Sequence, residues 1–179
     1  MKKVTKKIIY LLGLIMTAFI LTGPALAMPQ QGQVLKSNLA GVIAIEYEDG
    51  TTHTIDYEGT LQAGLFRKQI VIDIIHAGVI RETGESVVIN SRRAGVYQRQ
   101  GNRLVFGGGG AITLERENGS SVVFDPTGCF GVIQQNGRNI VIDIIDAGVV
   151  QDSGENVLIH TTGAGELQYA GDIGDGTDI

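Results

Sequence analysis

Ile70-Val71-Ile72-Asp73-Ile74-Ile75-His76-Ala77-Gly78-Val79 returns seventy residues later as Ile140-Val141-Ile142-Asp143-Ile144-Ile145-Asp146-Ala147-Gly148-Val149. The match runs on without a gap through Gly84-Glu85 and Gly154-Glu155, Val87 and Val157, Ile89 and Ile159, to Ala94-Gly95 and Ala164-Gly165. Of these 26 aligned positions 15 are identical. Chance at this composition gives about two, so the segment is duplicated. Upstream, with one residue inserted, Glu46, Glu48, Gly50, Asp56 and Gly59 match Glu115, Glu117, Gly119, Asp125 and Gly128. The chain beyond its N-terminal leader reads as two copies of a unit of about 70 residues, the size of a small β module.

Short β-branched runs punctuated by glycine recur through this region, and helical periodicity is absent, the pattern of an all-β protein. Each unit opens on a hairpin: residues 42–48 meet 51–57 across Asp49-Gly50, and 112–117 meet 120–125 across Asn118-Gly119. Asp-Gly and Asn-Gly favour the type I′ turn, in which both central residues take φ > 0. In that register Glu46 faces His53 and Glu115 faces Val122, and the first of these reads as a surface ion pair. The third strand of each unit, 70–75 and 140–145, is apolar on both faces apart from Asp73 and Asp143, which suggests cover on both sides or pairing at an interface. A second hairpin follows in each copy through Glu82-Thr83-Gly84 and Asp152-Ser153-Gly154. A further one, in the first copy, turns around Gln100-Gly101-Asn102.

These elements divide the chain into a leader (1–27), an arm that is either mobile or an added strand (28–40), a first β unit (41–106), a glycine linker (107–110), a second unit (111–170) and an acidic Gly/Asp-rich tail (171–179). The expected fold is two tandem units of sandwich or small-barrel type, packed against each other. Lys2, Lys3, Lys6 and Lys7 precede an apolar run from Ile8 to Thr22, Gly23-Pro24 breaks it, and Ala25-Leu26-Ala27 offers the small residues of a cleavage site. This is the layout of a bacterial secretory signal peptide. The run is short for a bilayer helix of roughly 20 residues, so no stable membrane insertion is expected after cleavage. The leader lysines account for four of the 14 basic residues, leaving ten against 19 acids and a net charge near −9, which disfavours a nucleic-acid partner. Cys129 is the one cysteine, so an exported chain gains no internal disulfide from it; it reads as a small buried hydrophobe.

Three constellations carry candidate chemistry. Asp152-Ser153-Gly154 resembles the aspartic peptidase motif over three residues, and duplication could bring two acids together to share a proton. The first copy carries Glu82-Thr83-Gly84 there, however, and both triplets are ordinary turn residues. Asp73 and Asp143 sit on apolar strands, where an acid must be paired, hydrogen-bonded or neutralised. With His76 or Asp146 they form a candidate hard-cation site, against the simpler reading of carboxylates held by backbone N–H groups at a bulge or turn, or pointing outward from an edge. The tail has the composition of a calcium loop without its spacing. No cofactor is expected.

The sequence thus points to an exported, non-enzymatic β-repeat protein of the periplasm, cell surface or extracellular space. It would act as a structural or interaction module, through self-association or a protein partner. Strand pairing would run through Ile70, Ile72, Ile74, Ile140, Ile142 and Ile144, with the arm or tail as donor. A monomeric module that binds a ligand or cation between the two units is the alternative, and a hydrolase using Asp152 and Glu82 is the third.

Overall fold

The computed structural model describes residues 33–172. The leader, the start of the arm and the end of the tail lie outside the described residues. Within them the chain forms eight strands and no helix: β1 (Gln33–Tyr47), β2 (Thr52–Phe66), β3 (Gln69–Ile80), β4 (Ser86–Gln100), β5 (Arg103–Arg116), β6 (Ser121–Asn136), β7 (Asn139–Val150) and β8 (Asn156–Asp172). Each pairs antiparallel with its neighbour in sequence, and β8 closes on β1 to make a single barrel.

Period-two alternation explains the wall. On β3, Ile70, Ile72 and Ile74 point inward and are fully buried, while Val71, Asp73 and Ile75 point outward, Ile75 being 58% exposed. Ile140, Ile142 and Ile144 on β7 repeat the inward set. The expectation that both faces of these strands are covered is therefore corrected: one face is core and the other is outer surface. Leu35, Leu61, Leu65, Leu104, Phe124 and Ile133 fill the rest of the same interior, each buried side chain contributing roughly 2 kcal/mol of transfer free energy.

The two copies do not form two units. Residues matched in the repeat fall on strands four apart, β3 with β7 and β4 with β8, and each copy supplies half of one wall. Neither half closes on itself, because the outer edges of β1 and β4 are taken by β8 and β5. Four strands curl too little to bury an inner face, whereas eight enclose a bore that side chains just fill. The linker expected at 107–110 is accordingly strand: Gly107 pairs with Val96 and Gly110 with Arg93, inside β5. The arm, from Gln33 onward, is the added strand of the two readings.

The first hairpins exist, with a different turn. Gly50 and Gly119 take φ of 89° and 80°, while Asp49 and Asn118 stay at negative φ. Tyr47 N–H donates to the Thr51 carbonyl at 2.9 Å, closing a three-residue loop whose last residue is left-handed. The Asp49 and Asn118 side chains accept the N–H groups of Thr51 (2.7 Å) and Ser120 (2.8 Å), which favours this loop over the type I′ turn. The extra residue shifts the register by one, so Glu46 faces Thr52, Ile45 faces His53, and Leu114 faces Val122. A one-residue shift exchanges faces, and Glu46 and His53 end on opposite sides of the wall.

At the other rim the turns are Arg67-Lys68, Gly101-Asn102 and Gly137-Arg138, two residues each. Gly101 and Gly137 both adopt φ 63°, and Arg67 holds the same place with φ 52°.

Candidate functional site

The sequence-derived acids separate across the wall. Asp73 lies outside, 3.6 Å from the Arg92 guanidinium, and Asp143 lies outside with its Oδ1 2.8 Å from His160 Nε2. His76 and Asp146 lie inside, each about 1% exposed. The four residues do not converge, and no group of three or more metal-ligating side chains forms among the described residues. Glu82 and Asp152 occupy separate hairpin turns. Glu82 accepts the Thr54 N–H at 3.0 Å, and Thr83 and Ser153 hydroxyls accept the N–H groups of Glu85 and Glu155. The six isoleucines offered for strand pairing pack the bore, and β3 and β7 are each paired along both edges. Assembly through them would require the barrel to open.

At mid-height the bore holds polar side chains. Arg93 on β4 reaches across to Asp146 on β7: Nε donates to both carboxylate oxygens at 3.0 and 3.1 Å, and Nη2 donates to Oδ2 at 2.6 Å. Its Nη1 donates to the Ser91 hydroxyl at 2.7 Å. A buried pair persists when its geometry is this complete, because each charge has lost its water. Burial acts to lower the Arg93 pKa, but Asp146 outweighs it and holds it above the ordinary value. Beside the pair, Tyr57 and His76 stack with ring centroids 3.9 Å apart, and the Tyr57 hydroxyl donates to the Thr162 carbonyl at 3.1 Å.

The repeat explains this asymmetry. Tyr57, His76 and Arg93 in the first half match Pro126, Asp146 and Gly163 in the second. Where one half has the large Arg93 the other has Gly163, and the space beside Gly163 is taken by the Tyr57 hydroxyl, which a Cβ there would overlap. Both contacts run between halves. Sequence reasoning passed over Arg93 and Tyr57. The signal was a charged residue at the inward phase of β4, after Val87, Ile89 and Ser91, facing glycine in the other copy.

The centre carries no activated nucleophile. Burial, and secondarily the Asp146 charge, push the Cys129 thiol up to about 12, so it stays protonated, in keeping with its reading as a small buried hydrophobe. Burial and then Arg93 push His76 down to about 3, leaving a neutral ring whose Nδ1 lacks a hydrogen-bond partner. Burial raises Tyr57 to about 12.

The outer wall has a trough of about 780 Å³ near the rim of the longer loops. Its floor is one row of outward side chains across five strands, Ala40, Glu58, Ala77, Val88 and Glu115, each paired to the next. On the inner row behind it, Gly41 and Gly78 flank Tyr57. Val79 and Val88 are exposed in the trough, at 44% and 42%. Arg81 is bound to Asp56 and Arg116 to Glu85, whereas Glu58, Glu115 and Glu117 make no ion pair among the described residues.

No known family profile matches the chain, and no curated protein matches it. Solved structures similar to it include a de novo designed transmembrane β-barrel, with a TM-score of 0.43 and 12% identity over 78% of this chain and 99% of that one. Ail, the attachment invasion locus protein of Yersinia pestis, is similar with a TM-score of 0.42 and 13% identity over 77% of this chain and 99% of its own. Its complex with the heparin analogue sucrose octasulfate gives 0.37 and 13% over the same shares. The expectation of no stable membrane insertion is corrected here. It rested on the shortness of the leader's apolar run, a criterion for helical spans, whereas the chain closes into an eight-stranded antiparallel barrel, an architecture whose strands can do the crossing.

Proposed function

We propose that the protein is an exported, non-enzymatic β-barrel, arisen by duplication of a half-barrel, that works as an interaction module in the periplasm or at the cell surface and meets its partner at the trough on its outer wall. The observation that carries this reading is the filled bore. Apolar side chains and a hydrogen-bonded ion pair occupy it, so recognition falls to the outside, where the trough sets exposed valines beside unpaired carboxylates. The leader and the lack of paired cysteines support export without a disulfide framework.

A second reading is a barrel embedded in an outer membrane. An even strand number favours it, as does one rim that gathers the two-residue turns with the start of β1 and the end of β8. Its cost lies on the outer face, where Asp73, Arg92 and Asp143 are charged groups at mid-strand; a charge at the bilayer midplane costs roughly 2–4 kcal/mol for Arg and less for Asp. A photo-crosslinking residue at Val88, with Val96 on the same strand as control, separates the readings in cells that produce the protein. A saturable protein adduct from Val88 and none from Val96 is expected. Lipid adducts in place of a protein adduct at Val88 would overturn the trough as the interaction surface, whereas lipid adducts at Val96 alone would be those of a barrel held in a bilayer with the trough above it.

A further inference from the structure

We infer that the trough takes an extended cationic segment of a partner protein, with the pattern basic-x-apolar-x-basic; this deepens the proposed function and rests on it. Glu58 and Glu115 close the two ends of a row whose middle is Ala77 and Val88. Three strand spacings separate the two carboxylate-bearing positions, about 14 Å. In an extended chain, side chains at i, i+2 and i+4 share one face, and the outer two lie about 13 Å apart. Such a segment, lying across the strands, sets its apolar side chain on Ala77 and Val88 while its two cations reach Glu58 and Glu115. Glu117 adds to the attractive field, and the cation lining the trough does not compete, since Arg116 is already bound to Glu85.

The duplicated wall supplies an internal control. There the matching row is Glu46, Leu158 and Ala147, and Thr127 stands where the first copy has Glu58. That face offers one carboxylate in place of two, so the segment is assigned to the first copy alone.

The test uses the protein purified after export and a fluorescent peptide Ser-Lys-Ser-Val-Ser-Lys-Ser, with Ser-Asp-Ser-Val-Ser-Asp-Ser as its control, followed by anisotropy at low and physiological salt. Saturable binding of the lysine peptide alone is expected, weakening as salt rises. Glu58→Gln and Glu115→Gln should each weaken it about three- to five-fold and together remove it, while Glu46→Gln leaves it unchanged. Equal affinity in the Glu58→Gln/Glu115→Gln double variant, or no saturable binding of the lysine peptide, would overturn the inference. A protein adduct from the Val88 crosslink together with a negative peptide result would overturn only the nature of the occupant; lipid adducts in its place would overturn the trough as an interaction surface.

Discussion

His76 and Asp146 hold matching places in the two halves of the barrel, yet burial treats them differently because Arg93 faces only one of them. Asp146 is neutralised by the guanidinium, while His76 lies against Tyr57 and stays uncharged. The folded-state value near 3 lies below the ordinary 6.5, so below about pH 6.5 the unfolded chain takes up a proton that the folded chain refuses. Stability therefore falls as pH drops from about 6.5 towards 3, by on the order of 1 kcal/mol per pH unit from this group. His76→Phe keeps a ring against Tyr57 and is expected to flatten that slope in urea unfolding at pH 7, 6, 5 and 4. An unchanged slope would show that the ring is hydrated and titrates freely. At this scale the sequence pointed at His76 and Asp146 through their mismatch. It could not show that both face inward while Asp73 and Asp143 face outward, because an apolar strand with one acid reads alike in either phase.

Turn chemistry sets the strands. The glycines of Asp49-Gly50 and Asn118-Gly119 are legible as hairpin centres, but a type I′ turn would make the residue before each glycine left-handed, whereas its side chain caps the loop instead. One residue of register follows from that difference, and with it the face of His53. The strands also run longer than the glycine spacing suggested, because glycines such as Gly78 and Gly163 sit within strands, where neighbours leave no room for a Cβ. At the opposite rim Arg67 keeps φ 52° in a turn position that Gly101 and Gly137 fill elsewhere. A non-glycine residue there costs roughly 1 kcal/mol of backbone strain. Arg67→Gly is expected to raise the unfolding midpoint in urea by a corresponding amount, and Arg67→Val to lower it; the reverse order would contradict the assigned turn.

For the whole molecule, duplication was legible and closure was not. Two copies of one pattern fit two packed modules as well as two halves of one wall, since the local signals are the same. Of the pairings that decide between them, β4 with β5 has a turn signal at Gln100-Gly101-Asn102 that fits a hairpin inside the first copy equally well, its continuation through a glycine run resembles a linker, and β8 with β1 leaves no local mark. In the closed barrel the halves are complementary: Arg93 answers Asp146 and Tyr57 answers Gly163, so neither half could be replaced by a second copy of the other without leaving charges unpaired in the bore. The most direct test of closure is a cross-link between the first and last strands. Ala40 and Ala164 are paired across β1 and β8, with Cα atoms within the range a disulfide spans. In Ala40→Cys/Ala164→Cys/Cys129→Ala, purified after export and oxidised, the closed barrel requires an intramolecular disulfide at monomer mass, seen on non-reducing gels and by mass spectrometry. Two free thiols, or bonds formed only between molecules, would contradict it.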